Sequence, residues 1–145
     1  ISGDFVGQRL GELMKEAGVT AEAGPATGYV LKFSNGLVVY LSGDTGITSE
    51  QKDVVGKYYK PQLAVINIGD TFTTGPREAA YVINELVEPK AVIASHANEV
   101  ATQNGKVIAG TKTEQFIKAT NVPVHVPLSG KTMSFDSKGK CAAGC

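Results

Sequence analysis

Leu63-Ala64-Val65-Ile66-Asn67-Ile68-Gly69-Asp70 is the stretch on which the fold turns: an apolar run with no polar alternation, closed by Gly-Asp. A strand with one wet face alternates, whereas a strand covered on both faces reads as a continuous run, the habit of parallel sheets. Leu37-Val38-Val39-Tyr40-Leu41 upstream and Ala91-Val92-Ile93-Ala94 downstream have the same character. Helical signals separate the three. Ser49-Glu50 to Tyr59 is expected as a short helix, with Thr48 and Gln51 at capping-box spacing and a stop before Pro61. Gly75-Pro76 opens another, whose buried stripe is Ala79, Ala80, Val82, Ile83, Leu86 and Val87. Thr111 and Glu114 make a second capping box, ahead of Phe116 and Ile117.

Outward from this βαβ core, Tyr29 to Phe33, Ser34-Asn35-Gly36 and the run to Leu41 read as a hairpin. Val122 to Val126 and Lys131 to Phe135 are expected to pair as the last two strands. Phe5 to Ala17 has the three- and four-residue apolar spacing of an amphipathic helix stopped by Gly18. The expected order is βαβαβ with hairpins at both ends, and its helices are too few to cover both faces of the sheet. Residues 1–23 are read as a helix and linker, 24–136 as the folded body and 137–145 as a flexible tail.

The chain has 145 residues with 14 basic and 14 acidic side chains. That neutral balance, without a Lys/Arg block, gives no reason to expect nucleic acid or a membrane surface as partner. No apolar run approaches the roughly 18 residues that span a bilayer, and the first residues lack the layout of a signal peptide, so a cytoplasmic location is favoured. The chain does not begin with Met, from which we expect a processed product or part of something longer. Cys141 and Cys145, the only cysteines, could close a small loop or bind a soft metal, but a metal knuckle would want a second pair; they are read as part of the tail. His125, between Val124 and Val126, is explained by an alternating strand.

Chemistry in such folds gathers where strands end. Asp44 follows the strand ending at Ser42, Asp70 follows the central run and His96 follows Ser95. If the strands are neighbours, the three share a rim. Each alone has an ordinary reading as a turn residue or helix cap. Gly-x-Ser-x-Gly, the phosphate-binding Gly-x-x-x-x-Gly-Lys-Ser/Thr and His-Glu-x-x-His are all absent. Asp44-Thr45-Gly46 is the tripeptide of aspartic proteases, but Gly43 before it, Ile47 after it and the helices that follow do not fit those nearly all-β enzymes.

Gly24 to Val30, Val39 to Gly46, Pro61 to Ala80 and Lys90 to His96 together resemble the C-terminal half of a metallo-β-lactamase-fold hydrolase, nearest the branch that contains metal-dependent lactonases of the ascorbate-phosphate type. The resemblance covers roughly residues 24–135. It implies half of an αββα sandwich: a mixed sheet with helices on one face and an apolar face left for a partner. It also implies that Asp44 bridges two metal ions (zinc, manganese or iron) and that His96 is the last ligand of the second. A carboxylate can face two cations and imidazole suits such borderline ions. Two cations roughly 3.5–4 Å apart activate water for attack on an ester, lactone or similar bond.

Thr45 and Ser95 are expected to orient these ligands. Asp70, Thr71 and Thr73 are read as the rim facing a small-molecule substrate. Arg77, in the first turn of its helix, is either solvated or a contact for an anionic group. The family's His-x-His-x-Asp-His run is missing, for His96 and His125 are the only histidines. The expected partner is therefore the N-terminal half of the same protein or another protomer, with a homo-oligomer as one form of that. The alternative is a non-catalytic half-domain that binds a partner or oligomerises through the open sheet face.

Overall fold

The computed structural model describes residues 16–18 and 25–145; the expected helix Phe5 to Ala17 lies almost wholly outside them. Five strands form one sheet in the order β1-β2-β3-β4-β7: β1 Tyr29–Lys32, β2 Val38–Leu41, β3 Leu63–Asn67, β4 Ala91–Ser95 and β7 Val124–His125. β1 runs antiparallel to β2, and β2, β3, β4 and β7 are mutually parallel, with Leu41 opposite Val65 and Asn67 opposite Ser95. The Asn-Gly hairpin forms as expected: the Phe33 N–H donates to the Leu37 carbonyl at 2.8 Å and the Gly36 N–H to the Phe33 carbonyl at 2.9 Å. The double-sided apolar runs are the central strands because only there can both faces leave water.

The first helix, Gln51–Tyr59, is wound wide, its end closed by the Lys60 N–H on the Val55 carbonyl five residues back. Gln51 Oε1 accepts from the Thr48 N–H at 2.9 Å, the glutamine half of the expected capping box. The second helix starts with Pro76 in its first turn and continues from Pro76–Tyr81 into Val82–Val87. The third, Lys112–Ala119, has Thr111 Oγ1 accepting from the Glu114 N–H, while the Glu114 carboxylate reaches back to the Gly110 N–H.

The three helices described above pack on one face of the sheet. There Ala64, Ile66, Ile68, Val92 and Ala94 meet Ala79, Val82, Ile83, Val87 and Phe116, most of them with no exposed surface. Burial of such side chains, at about 1.5–3 kcal/mol each, is the main force holding this layer. The opposite face is a smaller cluster of Leu37, Val39, Leu63 and Ala91, flanked by half-buried Leu41, Val65, Ile93 and Phe135. No helix covers it among the described residues, as the resemblance implied.

Two expectations for the C-terminus need correction. Val122 to Val126 and Lys131 to Phe135 do not pair with each other: β7 joins the main sheet beside β4, and β8 (Ser134–Phe135) pairs with β9 (Cys141–Ala143). The segment read as a tail is thus half of a hairpin, closed by a Cys141–Cys145 disulfide. Asp136 makes the turn, its Oδ1 accepting from the N–H groups of Lys138 and Lys140 at 2.9 Å each; these backbone donors, Lys140 first, hold the Asp136 carboxyl below its ordinary value. A further hairpin, β5 (Thr102–Gln103) with β6 (Lys106–Val107), lies between β4 and the third helix. Its turn is Asn104-Gly105, both at positive φ (51° and 76°), the geometry that suits a two-residue connection. No described helix is long and apolar enough to cross a membrane.

Candidate functional site

Because β2, β3 and β4 are parallel neighbours, their C-terminal ends lie along one edge, and the residues just beyond them, Asp44, Asp70 and His96, follow from that edge. Asp44 and His96 come together, with His96 Nδ1 3.8 Å from Asp44 Oδ1 and both side chains about two-fifths exposed (38% and 41%). The Asp44 carboxylate accepts no hydrogen bond among the described residues, so it remains open to a ligand from solvent.

A buried polar network supports the loop that carries Asp44. Asn67, at the end of β3 and 2% exposed, accepts from the Ser42 hydroxyl at 2.9 Å, donates to the Thr45 carbonyl at 2.9 Å and donates to Thr74 Oγ1 at 2.9 Å. The Thr74 hydroxyl donates in turn to the Asn67 carbonyl at 2.7 Å, and the Thr74 N–H to the Thr45 carbonyl at 3.0 Å. The two segments flanking Asp44, at Ser42 and at Thr45, are therefore tied to β3 by side chains with no water to compete for them. Sequence reasoning gave none of Ser42, Asn67 and Thr74 a role at the site. The available signal was Asn67 itself, a polar residue inside an apolar strand, which burial obliges to find partners.

Thr45 contributes to this arrangement through its carbonyl, its hydroxyl being turned to the Gly46 carbonyl at 3.2 Å. Ser95 accepts from the Ile68 N–H with its carbonyl at 3.0 Å. His96 takes up a left-handed backbone (φ 48°), and Gly69 passes so close that a Cβ there would stand 2.2 Å from the His96 carbonyl oxygen. Only glycine permits this approach of the two loops. Lys112 reinforces the crossing by donating its ammonium to the Gly69 carbonyl.

Asp70 does not join Asp44 and His96 directly. Its Oδ1 accepts from the Thr71 N–H at 2.7 Å, and its carboxyl group lies over Gly75 at the start of the second helix. Asp70 and Thr71 are both left-handed (φ 67° and 71°), an unfavourable conformation for a β-branched residue. Thr73 Oγ1 is buried with no hydrogen-bond partner among the described residues. Arg77 lies exposed in the first helical turn, with no ion pair among the described residues.

A cleft of about 460 Å³ opens beside His96 on the helix-free side of the sheet, walled by Val65, Ile93, Ser95, Glu99, Val126 and Pro127. Glu99 in its wall caps the third helix: its carboxylate accepts from the N–H groups of Lys112 (3.0 Å) and Thr113 (2.9 Å) and from the Thr113 hydroxyl (3.0 Å). Burial pushes its carboxyl up, but these donors outweigh that and hold it below the usual glutamate range.

No family model matches the chain. It is 39% identical over 111 residues to a UPF0173 metal-dependent hydrolase of Koribacter versatilis, covering 77% of this chain and 45% of that one. It is 34% identical over 113 residues to another from Polynucleobacter asymbioticus, covering 78% and 38%. The chain thus spans less than half the length of these relatives. Among solved structures, a metallo-β-lactamase superfamily protein of Thermotoga maritima superposes with a TM-score of 0.51 at 21% identity, over 68% of this chain and 56% of that one. The metallo hydrolase Igni18 of Ignicoccus hospitalis gives 0.50 at 19% identity, over 88% and 74%. In sequence the chain is similar to part of the UPF0173 metal-dependent hydrolases, and in structure it shares the fold of these metallo-β-lactamase-type proteins.

Proposed function

We propose that this chain carries the Asp44 and His96 ligands of a metal-dependent hydrolase whose remaining ligands lie outside residues 25–145. The observation that carries this reading is the pair itself: a carboxylate and an imidazole from the ends of neighbouring parallel strands, 3.8 Å apart and open to solvent. The donor set fits a divalent cation, with one hard oxygen ligand and one borderline nitrogen ligand, and zinc, manganese and iron all accept such a mixture. When bound, a pair of such ions supplies Lewis acidity and lowers the pKa of water at the site. The chain's own part is placement. Asp44 offers two oxygens from a loop fixed by Ser42 and Asn67, and His96 is held by the Gly69 crossing. The left-handed Asp70 and Thr71 support the reading of the loop up to Thr73 as the substrate rim, since strain of this kind recurs in binding loops. A small ester or lactone is the substrate class that this reading favours.

Two donors do not complete a site of the usual three or four protein ligands. The rest come from the N-terminal half of the same protein or from a second protomer, and the helix-free sheet face is where either would pack. The test is metal content and hydrolysis of chromogenic esters and lactones by the chain joined to the N-terminal half of the Koribacter versatilis relative. We expect zinc, manganese or iron at one to two equivalents, and loss of hydrolysis by about a hundredfold or more in Asp44→Ala and His96→Ala. Full activity in both variants would overturn the assignment. The half-exposed apolar face also supports a second reading, a non-catalytic module that associates through it; metal-free self-association of the chain, with no hydrolysis after joining, would favour that one.

A further inference from the structure

His125 and the two cysteines, far apart in sequence, meet in space. A ring nitrogen of His125 and the Sγ atoms of Cys141 and Cys145 all lie within 4.8 Å of one another. One imidazole and two sulfurs are a ligand set for zinc-class cations, whose bonds to sulfur and nitrogen of about 2.0–2.3 Å fit within that spread. As described, the sulfurs are joined in a disulfide and cannot bind as thiolates.

The surroundings hold His125 and Cys141 in place without that bond, and Cys145 stands two residues past the end of β9. β7 fixes His125 against β4, and the Phe135 ring packs on the imidazole in a T-shaped arrangement, with centroids 5.2 Å apart and planes at 73°. β9 fixes Cys141 against β8 through the Asp136 turn. Gly139 in that turn is pressed on the Gln62 carbonyl, where a Cβ would come within 2.5 Å, so the hairpin is seated on the main sheet. A bridge between residues only four apart removes little chain entropy, so stapling is a weak account of it. His125 and Cys141 are half-buried and Cys145 is exposed, which leaves a path for a reductant and for an ion.

We propose that His125, Cys141 and Cys145 form a redox-gated site for a soft divalent cation of the zinc class, separate from Asp44 and His96. A cellular dithiol delivers two electrons and two protons to the Cys141–Cys145 bond, leaving two thiols and its own disulfide. The cation then displaces both thiol protons and takes His125 as third ligand, with water in the fourth position. Hydrogen peroxide reverses the process: the two thiolates yield two electrons to the O–O bond, the S–S bond re-forms, the cation leaves and, with two protons taken up, two waters are produced.

The test uses cobalt(II) as the optical probe on the whole chain, reduced with a phosphine that is then removed under anaerobic conditions. We expect a thiolate-to-cobalt charge-transfer band that saturates at one equivalent, is bleached by zinc, and is absent from the oxidised chain. Cys141→Ser and Cys145→Ser should each abolish the one-to-one band. His125→Gln should weaken binding by at least about tenfold, and Asp44→Ala should leave it unchanged. The comparison of reduced with oxidised wild-type chain requires no variant and stands even if a substitution disturbs folding. No band in the reduced wild-type chain, a band that survives Cys145→Ser, or unchanged affinity in His125→Gln would overturn the proposal.

Discussion

Asn67 carries more of the candidate site's geometry than any ionisable residue near it. Its amide is buried and saturated by Ser42, Thr45 and Thr74, the residues that set the loop around Asp44. Asn67→Ala removes these three side-chain bonds and leaves a cavity, while the Ser42 and Thr74 hydroxyls keep only their backbone partners. We expect a loss of about 2–4 kcal/mol, read from urea denaturation. Asp44→Asn, an exposed side chain outside that network, should change stability by no more than about 0.5 kcal/mol in the same measurement. A large loss in Asp44→Asn would mean that the carboxylate is structural. Asp44 and His96 were legible in the sequence because strand-Gly-Asp and strand-Ser-His are local patterns. Ser42 and Thr74 were not, since their partner stands 25 residues away in one case and 7 in the other.

At the scale of elements, the helix Lys112–Ala119 is capped twice, by Thr111 in sequence and by Glu99 from a distant loop. Glu99 is held below its ordinary value, so the folded state binds its proton less readily than the unfolded chain does. Its contribution is therefore present above the unfolded value, about 4.3 for glutamate, and is lost as the pH falls through and below that range. Glu99→Gln should cost about 1 kcal/mol at neutral pH and flatten the acid limb of a stability-against-pH curve followed by circular dichroism. The same acid limb in both proteins would refute the capping account. Thr111 was legible because a capping box spans four residues. Glu99 was hidden because its donors lie 13 and 14 residues away across a loop. The C-terminal hairpin was missed for a related reason: Cys141–Ala143 is short and nearly featureless, and it is made a strand by Asp136, by β8 and by its seat on Gln62.

For the molecule as a whole, the decisive asymmetry is between the two faces of the sheet. The helix side is closed; the other leaves Leu41, Val65 and Ile93 half-buried under a small hairpin. A lysine at Val65 puts a charge on that face without touching the helix-side core. Val65→Lys should weaken association, with itself or with a supplied N-terminal half, by about tenfold or more, which is about 1.4 kcal/mol, as measured by sedimentation. Unchanged association would place the partner elsewhere.

The sequence by itself determined the parallel core, the first hairpin, the helix starts and the strand-end positions of Asp44 and His96, because each depends on residues close along the chain. Three things were decided only by the tertiary structure: that those two side chains stand 3.8 Å apart, that Asn67 holds the loop carrying Asp44, and that His125 meets Cys141 and Cys145. Each depends on strand order and on side chains brought together across loops, and no local propensity encodes which distant residue a strand will have as its neighbour.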